Sequence, residues 1–249
     1  MVTKLKSVLK SPQLLLALKA AAFGIGLNFL PAALFVPLAI LLYAIPFFRT
    51  IELTRPFFVL LVVSLLALRT VNRWDYSLFL IVYFAFLFYL ILGIKDLVVI
   101  KRAGWYRFLN LALVHMILLL FFYYNQEFFL IKLLIVFCAL LFLLKACLPM
   151  PTGRQAVGKE LLKNRLAVWL IAFLMAQGIW VIGLLPIGFI NAANFGLLAY
   201  FIMLDLAEYQ LSGPAYRQAG YLPRRRILTD VTIFVLLALL IFATSRWGL

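Results

Sequence analysis

The chain has 249 residues, 67% of them hydrophobic and 12% charged, and its 23 lysines and arginines against 8 acids give a formal net charge of +15. A soluble domain is about half apolar and a quarter charged, so this composition excludes a water-soluble globule, and it excludes disorder, which requires low hydrophobicity. Two cysteines are too few for a disulfide-stapled secreted fold, and the basic excess, which in a soluble protein would point to nucleic acid, is read here first as membrane topology.

A bilayer core about 30 Å thick takes roughly 17 to 25 apolar residues per helix. Dividing the chain at charged and turn-forming residues gives nine candidate spans, at 13–29, 31–48, 57–69, 77–95, 108–124, 128–148, 166–190, 195–211 and 228–245. The expected fold is therefore all-α, a polytopic transmembrane helical bundle forming one integral membrane domain over 1–249. The stretch from Gln13 to Phe48 holds no acid and is too long for one helix. Asn28-Phe29-Leu30-Pro31 offers a turn inside it, and proline suits the start of a second helix. The run from Phe57 to Leu68 is short and lies between Arg55 and Arg69; it spans if Arg69 snorkels and the bilayer thins. The first apolar run contains Lys19 and has no clear small-x-small cleavage site, unlike a signal peptide. It reads as a retained helix anchored by Lys4, Lys6 and Lys10, with an interfacial amphipathic helix over 1–19 as the alternative. The seventh span is the most irregular, with Gln177-Gly178, Gly183, Pro186 and Gly188 before Asn191-Ala192-Ala193-Asn194. A kinked inner helix is expected there, with the connection to the eighth span at Asn191 to Asn194.

The basic residues orient the bundle. With the N-terminus inside, nine spans place 19 on the cytoplasmic side: Lys4, Lys6, Lys10, Lys19, Arg49, Arg55, Lys95, Lys101, Arg102, Arg107, Lys145, Arg154, Lys159, Lys163, Arg165, Arg217, Arg224, Arg225 and Arg226. Only Arg69, Arg73, Lys132 and Arg246 fall outside. The positive-inside rule thus selects a cytoplasmic N-terminus and an outer C-terminus, and a bacterial cytoplasmic membrane is the expected location. Trp74, Trp105, Trp169 and Trp247 fall near span ends, as interface belts require. The outer connections are minute, so any surface function belongs to the cytoplasmic face. No Gly-rich phosphate loop ending in Lys-Ser/Thr occurs.

One internal similarity suggests a parallel repeat. The cytoplasmic end of the fourth span reads Asp96-Leu97, then Gly104 and Tyr106-Arg107, and that of the eighth reads Asp205-Leu206, then Gly213 and Tyr216-Arg217. The competing explanation is that Gly, Tyr and Arg are common at membrane interfaces.

Ionisable groups inside a span are functional candidates by default. Asp205 is the deepest acid, and Glu208 at i+3 shares its helix face. Together they form a candidate ion or proton site, or they pair with bases such as Lys95, Lys145 or Arg224 to Arg226 and hold helices together. His115, the sole histidine, lies near the middle of the fifth span, with Asn110 five residues earlier and Gln177 and Cys138 at similar depth in neighbouring spans. They line a polar path or make ordinary interhelical hydrogen bonds. A lone histidine does not make a metal site, and Cys138 and Cys147 are expected as free thiols. Arg224, Arg225 and Arg226 are candidate contacts for lipid headgroups or phosphate. No metal, cofactor or catalytic residue is expected; the expected partners are anionic lipid headgroups and a membrane protein, with no nucleic acid.

Three function classes follow: a non-catalytic subunit or assembly factor of a membrane complex, a secondary transporter or channel, and an enzyme handling a lipid phosphate at the cytosolic rim. The span count and orientation are similar to those of the UbiA-type prenyltransferases. The Asp-rich cytoplasmic loops of that family are missing, since 49–56 holds only Glu52 and 149–165 only Glu160. A rhomboid-like serine protease is excluded by the absence of Gly-x-Ser-x-Gly. The first class is favoured.

Overall fold

A computed structural model of the chain describes residues 12–45, 53–71, 77–96, 102–123, 129–147, 158–211 and 223–244. Their regular structure is entirely helical: α1 (Pro12–Phe29), α2 (Ala32–Ala44), α3 (Thr54–Val71), α4 (Ser77–Lys95), α5 (Arg102–Tyr123), α6 (Phe129–Cys147), α7 (Gly158–Gly183), α8 (Phe189–Leu211) and α9 (Pro223–Thr244). Four stretches are long and apolar enough to cross a membrane: Leu78–Lys95, Gly104–Tyr123, Asn164–Gly183 and Phe189–Ala207. Gln13–Phe29, Ala32–Ala44, Thr54–Ala67 and Val231–Ile241 are shorter apolar helices. The N-terminal basic segment 1–11 and the Gly213-Tyr216-Arg217 half of the suggested repeat lie outside the described residues.

Proline places both ends of α2, while Pro37 lies within the helix. Between Pro12 and Ala44 the chain forms two helices, which part at Leu30–Pro31. Pro31 is the N-cap of α2 at φ −65°, ψ 153°, and its carbonyl accepts the first bonds, from the amides of Leu34 and Phe35. The other end is set by Pro46, because a residue before proline is held out of the helical region. Ile45 accordingly turns extended at φ −90°, ψ 120°. With 13 residues, α2 is only about 20 Å long at 1.5 Å per residue, shorter than the span expected over 31–48.

The boundary between α7 and α8 also differs from expectation. Helix α7 runs unbroken through Gln177-Gly178 to Gly183, the connection occupies 184–188 around Pro186, and α8 begins at Phe189. Asn191 and Asn194 therefore lie in the opening turns of α8, not in a loop. Proline lacks the amide a continuing helix needs, whereas asparagine tolerates a helix start, where side-chain acceptors meet free N–H groups.

Two compact units divide the chain at 113/114, within α5. In the first, α1 packs on α4 and also meets α2 and α3, while α3 contacts α2 and α4. Its core is a relay of rings. Phe23 lies 5.1 Å from Phe35 and stacks at 4.3 Å on Phe88, Phe88 meets Phe57 at 6.3 Å, and Phe57 stacks on Tyr43 at 4.0 Å. Such pairs add about 0.5–1.5 kcal/mol each beyond their buried area. Gly24 lets α1 approach α4: a Cβ there would stand 3.1 Å from Ala85 Cβ.

In the second unit α7 packs on both α6 and α8, and α9 lies along α8. Leu118 of α5 seats against Gly196 of α8, where a Cβ would meet its Cδ1 at 3.1 Å. Tyr123 at the end of α5 contacts Phe189 at the start of α8, with ring centroids 5.5 Å apart. Phe121 meets Phe129 at the start of α6 at 5.6 Å, so the end of α5 and the starts of α6 and α8 share one end of this unit.

Candidate functional site

Each unit carries one polar arrangement of its own. In the first, two lysines from different helices converge on the C-terminal end of α2. Lys95, only 3% exposed, donates to the carbonyl of Tyr43 and stands 4.7 Å from the centre of the Tyr43 ring. Lys19 of α1 donates to the carbonyl of Ile45. Thr54, at the start of α3, hydrogen-bonds the Tyr43 hydroxyl. The last carbonyls of a helix have no partner within it and carry partial negative charge. A cation there contributes about 0.3–2 kcal/mol, and its place over an aromatic ring about 0.5–2 kcal/mol more. Pro46 creates the need by ending α2, and Lys19 and Lys95 meet it. Both lysines carry weight in the sequence as topology charges; their shared target is visible only in three dimensions.

The second unit holds the His115–Asn194 pair, a 3.1 Å hydrogen bond between Nε2 and Oδ1. Because α8 begins at Phe189, Asn194 is helical and faces α5 beside Gly196, whose missing side chain allows the close approach. The pair thus lies between two helices that are each long and apolar enough to cross a membrane. Asn194 was not among the expected site residues, since the sequence reads it as loop. Its signal was Pro186, a stronger breaker than any asparagine after it.

The other expected residues separate. Asp205 is 7% exposed on α8 and has an interaction partner. It follows Asn194 by eleven residues, close to three full turns, so the two share a face but stand about 16 Å apart along the axis. Glu208 belongs to the same helix, but its side chain lies outside the described residues. Asn110 is 3% exposed and has an interaction partner. Five positions before His115 on α5, it is turned about 140° away. Gln177 is exposed on α7, and no described residue bonds its amide, so it does not join His115. Arg224, Arg225 and Arg226 occupy the first turn of α9, and their side chains lie outside the described residues. Cys138 is an exposed free thiol on α6. Among the described residues no three His, Cys, Asp or Glu side chains gather as a metal site.

Chemically, the lysines satisfy a helix end, and both arrangements join helices within an apolar setting. No family model, no curated protein and no solved structure matches this chain.

Proposed function

We propose that the chain is an integral membrane protein of nine spans in a bacterial cytoplasmic membrane, N-terminus inside and C-terminus outside, acting as a non-catalytic subunit or assembly factor of a membrane complex. The observation that carries this reading is how its inward polar groups are used. Lys19 and Lys95 cap α2, His115 bonds Asn194, and the Ser64 hydroxyl donates to the Leu61 carbonyl at 2.8 Å. Meanwhile large apolar side chains stand exposed on α2, α6, α7 and α9, the surface that lipid or a partner helix covers.

The three arginines opening α9 agree with a cytoplasmic anchor. Positive charge at a helix N-terminus opposes the helix dipole by about 0.3–1 kcal/mol per residue. Anionic headgroups return about 1 kcal/mol for each basic residue near the surface. Purification in mild detergent tests the role: a membrane protein co-purifying in fixed stoichiometry supports it, and a chain isolated alone that moves a solute into liposomes refutes it.

A second reading, a secondary transporter or channel, is favoured by buried Asp205 on the same α8 face as Asn194. Under it, Asp205→Asn abolishes proteoliposome flux while leaving expression unchanged. Flux unaffected by that substitution removes Asp205 from any transport path.

A further inference from the structure

From Leu166 to Ile182, Gln177 apart, helix α7 is apolar all round in sequence, yet the structure divides it into two faces. Val168, Ile171, Ala172, Met175, Ile179 and Ile182 are buried against the rest of its unit. Leu170, Phe173, Leu174, Trp180 and Val181 form the opposite, exposed stripe. Gln177 interrupts that exposed stripe, flanked by Leu174 and Trp180 one turn to either side. It lies within the stretch Asn164–Gly183, about 9 Å from the Gly183 end at 1.5 Å per residue. An amide presented to hydrocarbon meets neither donor nor acceptor, a strongly unfavourable state that membrane helices relieve by bonding across to another helix.

We propose that this exposed face of α7 is a self-association surface, on which Gln177 of one copy bonds Gln177 of a second copy across a twofold axis normal to the membrane. The proposal rests on the membrane-spanning reading of α7, not on the role in a larger complex. Two features select a second copy as the occupant. An amide offers two donors and one carbonyl acceptor, so two identical amides exchange two reciprocal bonds, each giving one N–H and receiving one at its carbonyl, whereas a carboxylate only accepts and an ammonium only donates. A twofold axis along the membrane normal also sets the same residue of both copies at the same depth. Beside Gln177, a Cβ on Gly178 would find nothing within 4 Å, which leaves room for a second helix to come close. Phe173, Leu174, Trp180 and Val181 surround the amide pair and keep it dry.

The test uses the full chain in membranes, with Cys138→Ala and Cys147→Ala as background. Single cysteines placed at 170, 173, 174, 180 and 181 cross-link between copies with helical periodicity under mild oxidation, while cysteines at 172 and 175 do not. In liposomes of bacterial polar lipid, single-molecule photobleaching across protein-to-lipid ratios gives the dimer dissociation constant. Gln177→Leu raises it about tenfold, as loss of a pair of interhelical amide bonds requires, and Gln177→Asn raises it less. Cross-linking without helical period, a Gln177→Leu protein that dimerises like the parent, or cross-links only to a different protein overturns the proposal. Alkaline carbonate extraction of the same membranes separates the two failures. A chain released by alkali refutes the membrane reading itself, and one that is retained but monomeric refutes only the dimer.

Discussion

Gly24 sets the closest approach of α1 to α4, and replacing it gives a quantitative test of that packing. A Cβ at this position would lie 3.1 Å from Ala85 Cβ, 3.4 Å from Ile81 Cγ2 and 3.6 Å from the Ile81 carbonyl oxygen. Carbon atoms settle at about 3.5–4.0 Å. Ala85 has no rotamer to change, so relief requires the two helices to separate by roughly half an ångström or more. Overpacking of this kind costs about 1–3 kcal/mol, while removing glycine from a helix interior returns about 1 kcal/mol. Gly24→Ala is therefore neutral to destabilising by about 2 kcal/mol, and Gly24→Leu, which adds a branched side chain to the same gap, is worse by a further 1–3 kcal/mol. Gly104, on α5, has nothing within 4 Å of the equivalent position, so Gly104→Ala serves as the control and leaves stability unchanged or raises it by up to about 1 kcal/mol. The assay is thermal denaturation of the detergent-solubilised chain, followed by size-exclusion of a fluorescent fusion. Gly24→Leu as stable as the parent, or Gly104→Ala as damaging as Gly24→Leu, refutes the α1–α4 packing.

The His115–Asn194 bond predicts a double-mutant coupling of about 0.6 kcal/mol and no more than about 1.7 kcal/mol for His115→Leu with Asn194→Leu; additive single effects contradict the bond. Replacing Arg224, Arg225 and Arg226 together by Ser removes about 3 kcal/mol of attraction to an anionic surface. A reporter fused after Leu249 then shows mixed orientation of the last span, whereas the same change leaves helix content by circular dichroism unaltered; a uniformly placed reporter would deny these arginines a role in orientation.

What the sequence reveals and what it conceals follow from one property of helices this apolar. Position along the chain is legible, because prolines and charges interrupt apolar runs. Pro31 separates α1 from α2, and Pro46 ends α2 through Ile45. Where two signals competed, near Pro186 and Asn191 to Asn194, the stronger backbone constraint prevailed and moved the start of α8 to Phe189. Rotation about the helix axis is not legible. In water a buried face is apolar and an exposed face polar, so periodicity reports direction. Here both faces of α7 are apolar; helix geometry sets Gln177 opposite Ala172 and Met175, but nothing in the pattern shows which of the two faces turns inward. The partnership of His115 with Asn194, and of Lys19 and Lys95 with the end of α2, depends on that same hidden angle.

An odd number of spans puts the two chain ends on opposite sides of the membrane, and paired reporters test this directly. Alkaline phosphatase, active only outside the cytoplasm, and a fluorescent protein, bright only within it, are fused in turn after Leu249 and before Met1. Nine spans with the N-terminus inside predict active phosphatase and no fluorescence at the C-terminus, with the reverse at the N-terminus. Both ends reporting the same side would contradict the nine-span arrangement, and with it the placement of the basic residues on one face.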